Sequence, residues 1–241
     1  DISYAIPFSL SIAFALISIV LAIGLKEPLR ERAHHGAAGF VHHLRDVRIL
    51  LRQRPYVVFM LVTAAVYWVG VTIAEIYVQA LFSDRGLSNA QIGAFLGVMF
   101  LAVAGGTALG GQLTGRLTWQ WPLLTGATGI GVITLGVANA MAIIVGAYIV
   151  AEFVSGIAET RLSAWYNSQL PSAQRATVLS VESWLFSILM IGLFPLAGWF
   201  AERAGWTAMY IVVGAIIIAT GSAAIVLRRH SHPAMAPAVA D

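Results

Sequence analysis

Four glutamates stand inside long apolar stretches of this chain: Glu75, Glu152, Glu159 and Glu182. A charged side chain at the centre of a hydrocarbon layer costs roughly 2.5 to 3.5 kcal/mol on insertion scales, so such residues face a cavity or a partner. The chemistry open to them there is the reversible exchange of a proton or a cation. Two of the sequences around them repeat at helical spacing. Trp68, Thr72, Glu75 and Gln79 fall at intervals of 0, 4, 7 and 11, as do Tyr148, Glu152, Ser155 and Glu159. Each set therefore makes one polar stripe on one helix face. Glu152 lies nearest the middle of its stretch and is the first candidate for a substrate or proton site, with Glu75 next. Glu159 and Glu182 lie nearer stretch ends, where a gating ion pair with Arg161 or Arg116 is expected, or a side chain reaching out to the interface.

The stretches that position these residues are of membrane length. Of the 241 residues 59% are hydrophobic and 10% charged, and the mean hydropathy is +0.83. A soluble domain would carry roughly a quarter of its residues charged. About 20 apolar residues in a helix cross a bilayer with every backbone group bonded internally. Seven such stretches are legible: Tyr4 to Leu25, Tyr56 to Phe82, Gln91 to Leu113, Pro122 to Ala138, Met141 to Tyr166, Ala176 to Trp199 and Thr207 to Leu227. The fold class expected is an all-α membrane protein of about seven transmembrane helices. The chain opens on Asp1 with neither a basic leader nor a small-residue cleavage site, so a signal peptide is not expected and the chain reads as a fragment or a processed form.

Charge sorts by side. Seven Lys and Arg fall between Lys26 and Arg54; Arg116, Arg161 and Arg175 lie in turns on the same side, and Arg228 and Arg229 follow the last stretch, against Arg85 and Arg203 opposite. The positive-inside rule then puts the long loop and the C-terminal tail in the cytoplasm of a multi-pass protein of the inner, cytoplasmic membrane. Within the loop, Phe40, Leu44, Val47 and Leu51 form an apolar face opposite Arg45, Arg48 and Arg52, which is expected to lie on the membrane surface. The pairs His34, His35 and His42, His43 sit in this solvated loop with no carboxylates fixed beside them, and receive no metal assignment. The +3 net charge is explained by topology and points to no nucleic acid.

Local chemistry supports these bounds. Asp84, Arg85 and Gly86 make a turn, and Ser88 with Gln91 fits a capping box that starts the third helix near Asn89. Gly93 and Gly97, Gly106 and Gly110, and Gly111 and Gly115 are spaced for close helix approach. Trp119, Trp121, Trp199 and Trp206 fit an interfacial belt. An intramembrane enzyme is disfavoured, since every aspartate and every histidine lies outside the stretches, there is no cysteine, and no H-E-x-x-H motif occurs. No cofactor is implied. A seven-helix photoreceptor would need a buried lysine for its Schiff base, and Lys26, the one lysine, lies at a helix end. A ligand receptor or a channel stays as the alternative from another class.

A repeat spans the chain. Gly111-Gln-Leu-Thr-Gly-Arg116-Leu-Thr-Trp119 and Gly198-Trp-Phe-Ala-Glu-Arg203-Ala-Gly-Trp206 share Gly, Arg and Trp at one offset of 87 residues. That offset covers three helices, an odd number, so the copies end on opposite sides of the membrane and the repeat is inverted, as in many secondary transporters. Here the chain resembles the C-terminal half of the major facilitator superfamily, over nearly its whole length. Gly111 to Arg116 looks like the family's G-x-x-x-D-R loop motif, with Gly115 in place of the acid. Gly198 to Gly205 fits better through Glu202, and Pro171 to Ser180 is similar to the loop entering the eleventh family helix.

The resemblance implies family helix six at residues 1–25, the central cytoplasmic loop at 26–54, 3+3 inverted repeats at 55–138 and 139–229, and a cytoplasmic tail at 230–241. It makes the two striped helices numbers seven and ten, which line the translocation cavity, and it implies a partner N-terminal half supplying the other cavity wall. Trp68, Thr72, Glu75, Gln79, Tyr148, Glu152 and Ser155 are then the substrate or proton residues, and Gly111, Arg116, Glu159, Arg161, Arg175 and Glu182 the gating ones. The expected function is a proton-coupled carrier of a small molecule. Stripes of Trp, Tyr, Thr, Glu and Gln suit lipophilic cations or polyols, carboxylates without a membrane-centred Lys or Arg disfavour an anionic substrate, and drug efflux by antiport is preferred over sugar or metabolite uptake.

Overall fold

A computed structural model describes residues 5–23, 49 and 52–230. The amphipathic loop segment, the four loop histidines and the tail beyond residue 230 lie outside the described residues, apart from Arg52. Six α-helices are present among those described. The chain divides into two units, residues 1–42 and 43–241. The first contains α1 (Ala5–Ile23), an apolar helix of 19 residues. The second contains α2 (Pro55–Asp84), α3 (Asn89–Gln112), α4 (Leu117–Val137), α5 (Met141–Gln169) and α6 (Ser172–His230).

Pro55 opens α2, where its missing N–H is one that a helix start leaves unbonded in any case. The α2–α3 turn carries Gly86 at φ 84°, and Ser88 and Gln91 form the expected capping box: Ser88 N donates to Gln91 Oε1 at 2.9 Å and Gln91 N to Ser88 Oγ at 3.4 Å. α4 starts at Leu117, five residues before the expected stretch. Apolar segments long enough to cross a membrane are Pro55–Asp84, Asn89–Gln112, Met141–Gln169 and Gln174–Ile225. The chain is thus an all-α membrane protein. α4 is not among those four, its first two turns carrying Trp119, Gln120, Trp121 and Pro122.

The sixth and seventh expected helices run on as the single 59-residue α6, broken at Gly205, whose φ of 82° and ψ of 163° leave the helical region. A straight helix of that length would reach about 90 Å, three times a hydrocarbon core. Its contacts reveal two arms that run in opposite directions. In the first arm (172–204), Phe194 meets Tyr77 of α2, and Trp206 just past the break meets Asp84, so this arm runs parallel to α2. In the second arm (206–230), Ile217 and Val213 pack at Gly70, so the chain has turned back along α2. Gly205 is therefore the tip of a helical hairpin, an extended left-handed backbone that a glycine adopts without steric cost.

The other pairings are equally regular. α3 runs parallel to α5, Gly106 lying against the backbone of Phe153 and Thr160 Oγ1 donating to Thr107 O at 3.2 Å. A side chain at Gly106 would collide with that backbone, so close approach is what the glycine permits. α4 is antiparallel to the second arm, with Gly129 beside Gly214 and Thr207 Oγ1 donating to Gly136 O at 2.7 Å. It is also antiparallel to α5, with Gly131 against Ala151 and Gln120 bonded to Arg161. At the centre the fully buried Tyr67 meets Thr128 (3.2 Å between hydroxyls) and packs on Trp121.

Candidate functional site

α2, α3 and α5 line a partly open cavity of about 140 Å³, bordered by Trp68, Val71, Thr72, Glu75, Met99, Phe100, Val103, Glu152, Ser155 and Glu159. Six of the eight striped residues meet here, which follows from two i, i+4, i+7 faces turned toward each other across α3. α3 supplies the apolar wall. Its share was not legible in the sequence, because Met99, Phe100 and Val103 look like any residues of a glycine-rich packing helix.

Depth separates the carboxyls. At 1.5 Å per residue, Glu75 lies roughly 14 Å from the Asp84 end of α2, while Glu159 lies roughly 10 Å beyond Glu152 toward the other end of α5. Glu152 is 4% exposed, Glu75 is half-buried and Glu159 is exposed. Ser155 Oγ donates to Glu152 Oε2 at 3.2 Å and to the Glu152 carbonyl at 2.8 Å. Tyr148, fully buried one turn earlier, faces the same carboxyl without the alignment of a full hydrogen bond.

The cavity stops at that level. Tyr148 stacks on Phe95 (6.1 Å, 24°), and Phe95 meets Phe82 edge-on at 4.7 Å. One buried aromatic from each of the three helices thus closes the Asp84 end. Gln79 falls one turn past Glu75 on this closed side; it is exposed and does not line the cavity.

The expected gating residues are arranged differently from the ion pairs anticipated for them. Arg161 Nε donates to Gln120 Oε1 at 2.8 Å, and its two terminal nitrogens donate to Leu113 O and Gly115 O. Gln120 Nε2 in turn donates to Thr114 O at 2.9 Å. The guanidinium therefore ties down the α3–α4 turn, where Leu113 is the C-cap of α3 and Gly115 has φ 111°. Helix C-termini favour cations because their last carbonyls are unbonded and their dipole is negative there. Arg175 uses the same physics, donating to Asn167 O (2.9 Å) and Leu170 O (3.3 Å), as does Arg54 toward Gln169 O, all at the end of α5. Arg85 donates to Ala138 O, the C-cap of α4, at 3.2 Å. Arg203 lies 4.6 Å over Trp199. Glu182 is half-buried on the first arm, away from the cavity, facing Tyr166. Arg116 is exposed at the start of α4, and nothing lies within 4 Å of a side chain built at Gly111.

Among the described residues, then, no arginine pairs with any of the four glutamates, and no three His, Cys, Asp or Glu side chains cluster as metal ligands would. Trp206, expected as a belt residue, donates Nε1–H to Asp84 Oδ2 at 2.8 Å. A tryptophan at a membrane interface carries no sequence mark of the partner its N–H finds. No protein-family model matches the sequence, and no curated protein matches it.

Proposed function

We propose that this chain is the C-terminal half of a secondary active carrier of the major facilitator type, exchanging protons for a small cationic or lipophilic molecule in the manner of drug efflux. The observation that carries the reading is the cavity. Three carboxyls line it within apolar helices, Trp68 and Phe100 form its walls, and among the described residues no cation neutralises it. A carboxylate in such surroundings is disfavoured unless it meets a proton or a cation, so the two ligands compete for one group and coupling follows.

The helix pairings support the repeat. Exchanging α2 with α5, α3 with the first arm and α4 with the second arm maps the parallel pair α3 and α5 onto the parallel pair α2 and first arm. It maps α4 and α5 onto second arm and α2, and leaves α4 and the second arm as they are. This is the pattern of two inverted three-helix units. The partner on this reading is an N-terminal half completing the cavity wall, and the arginine-rich end faces the cytoplasm.

The test is gradient-driven flux of a lipophilic cation such as tetraphenylphosphonium in proteoliposomes of the complete carrier, measured against pH. Glu152→Gln keeps volume and hydrogen bonding but cannot release a proton. It should insert normally and lose proton-driven accumulation, while Glu152→Asp keeps part of it with an altered pH profile. Undiminished gradient-driven flux in Glu152→Gln would remove this carboxyl from the mechanism and leave Glu75 as the next candidate.

A further inference from the structure

The two copies of the repeated Gly, Arg and Trp motif are not used alike. Gly111 has open space where a side chain would stand, whereas a Cβ at Gly198 would collide with the Tyr77 hydroxyl and come within 3.2 Å of its Cζ. Tyr77 lies in the notch that Gly198 leaves. Its ring stacks on Phe194 (5.0 Å, 24°), its hydroxyl donates to Phe194 O at 3.1 Å, and Trp206 stands 6.0 Å away. Asp84 lies seven residues on, two turns along the same face of α2, and accepts the Trp206 N–H. The terminal half of α2 is thus fastened twice to the α6 hairpin, once to each side of Gly205.

Glu75 precedes Tyr77 by two residues, about 200° around the helix at 3.6 residues per turn. One side chain points into the cavity while the other is locked behind it. Rotation or withdrawal of this end of α2 would carry Glu75 and Thr72 out of the cavity wall, and the two fastenings oppose both movements. We infer that Tyr77, seated at Gly198 and seconded by the Trp206–Asp84 bond, is a positioning residue that holds the Glu75 face of α2 in the cavity. The inference deepens the carrier reading, yet it concerns placement alone and is tested without any flux.

The chain has no cysteine, so one introduced thiol reports its own accessibility. Thr72→Cys on α2 and, separately, Ser155→Cys on α5 would be labelled with a membrane-impermeant maleimide in membranes holding the full chain. Gly198→Ala should displace Tyr77 and change the labelling rate at position 72 by about tenfold, with little change at position 155. Adding Tyr77→Phe removes the colliding oxygen, so the Gly198→Ala, Tyr77→Phe pair should return toward the parent rate. Trp206→Phe, which keeps the ring and loses the N–H, should change position 72 by about threefold. Equal changes at positions 72 and 155 would mean general loosening, and a double variant no closer to the parent than Gly198→Ala would mean that Tyr77 does not act through the notch. Either result overturns the inference. An inactive carrier that still gave the rescue would instead count against the transport reading and leave the positioning intact.

Discussion

The middle of the molecule and its ends treat charge in opposite ways. In the cavity Glu75, Glu152 and Glu159 have no basic partner among the described residues. At the helix ends Arg54, Arg85, Arg161 and Arg175 donate to the carbonyls that close α3, α4 and α5. Acids and bases that would cancel in a soluble protein are held apart, the bases satisfied by backbone dipoles that are available only where helices end. On the carrier reading proposed above, the acids are left for an exchanging proton or cation. A helix terminus is a fixed partner for a charge, and a residue's place along its helix decides whether it meets one.

Placing a cation permanently in the middle should have the largest effect. Ser155→Lys sets an ammonium group one turn from Glu152, which on the carrier reading is an internal substitute for the proton or substrate. Two opposite charges about 4 Å apart in a poorly polarisable site attract by several kcal/mol, so flux of the complete carrier should fall more than about a hundredfold. Ser155→Ala should retain most of it, since the shorter bond of that hydroxyl goes to its own helix carbonyl. Near-parent flux in a well-inserted Ser155→Lys protein would break the contrast, because the cavity would then work with its charge cancelled.

At the ends the effect should be on stability and not on coupling. Arg161→Ala removes the hydrogen bonds to Gln120, Leu113 and Gly115 and frees the α3–α4 turn. Charge-assisted bonds of this kind are worth about 2 kcal/mol net at a partly exposed site, and the unfolding midpoint in detergent should drop accordingly. Arg161→Lys should recover only part, as an ammonium cannot fork to several acceptors in one plane. The pH dependence of flux should keep its shape in both. A changed pH profile in Arg161→Ala would mean that this guanidinium does exchange with Glu159, as its position in the sequence suggests.

The same division explains which features were legible in the sequence. Stripes of period 3.6 identified six of the cavity-lining residues, because a polar group inside an apolar helix has few reasons to be there. The capping box was legible since Ser88 and Gln91 act within one turn of chain. The arginine contacts were not. A guanidinium looks for carboxylates in any reading of sequence, and the unbonded carbonyls of a helix 48 residues away bear no letter of their own. Gln79 and Tyr148 fit their stripes in angle but lie too near the Asp84 end, and depth along a helix is what period alone leaves open. Gly205 was read within a loop between two helices, whereas one residue of left-handed backbone is enough to reverse the chain.

The smallest expected effect sharpens the contrast from its weakest member. Arg85 is exposed and makes a single hydrogen bond, 3.2 Å long, to the C-cap carbonyl of α4. Water competes for both partners at that site, so the net contribution of the bond is the difference between two similar solvations. Arg85→Ala should therefore cost about 0.5 kcal/mol, near the low end for a hydrogen bond and for a cation at a helix C-terminus. The loss should shrink further in high salt, which screens the charge–dipole part. Unfolding midpoints of parent and variant at low and high ionic strength measure both quantities. Arg85 also neighbours Asp84, whose carboxylate holds Trp206, and this gives the measurement a second use. If Arg85→Ala lowers stability as much as Arg161→Ala does, the arginine acts through the Asp84–Trp206 fastening and not as a helix cap. The separation of bases at the ends from acids in the middle would then have an exception at the closed end of the cavity.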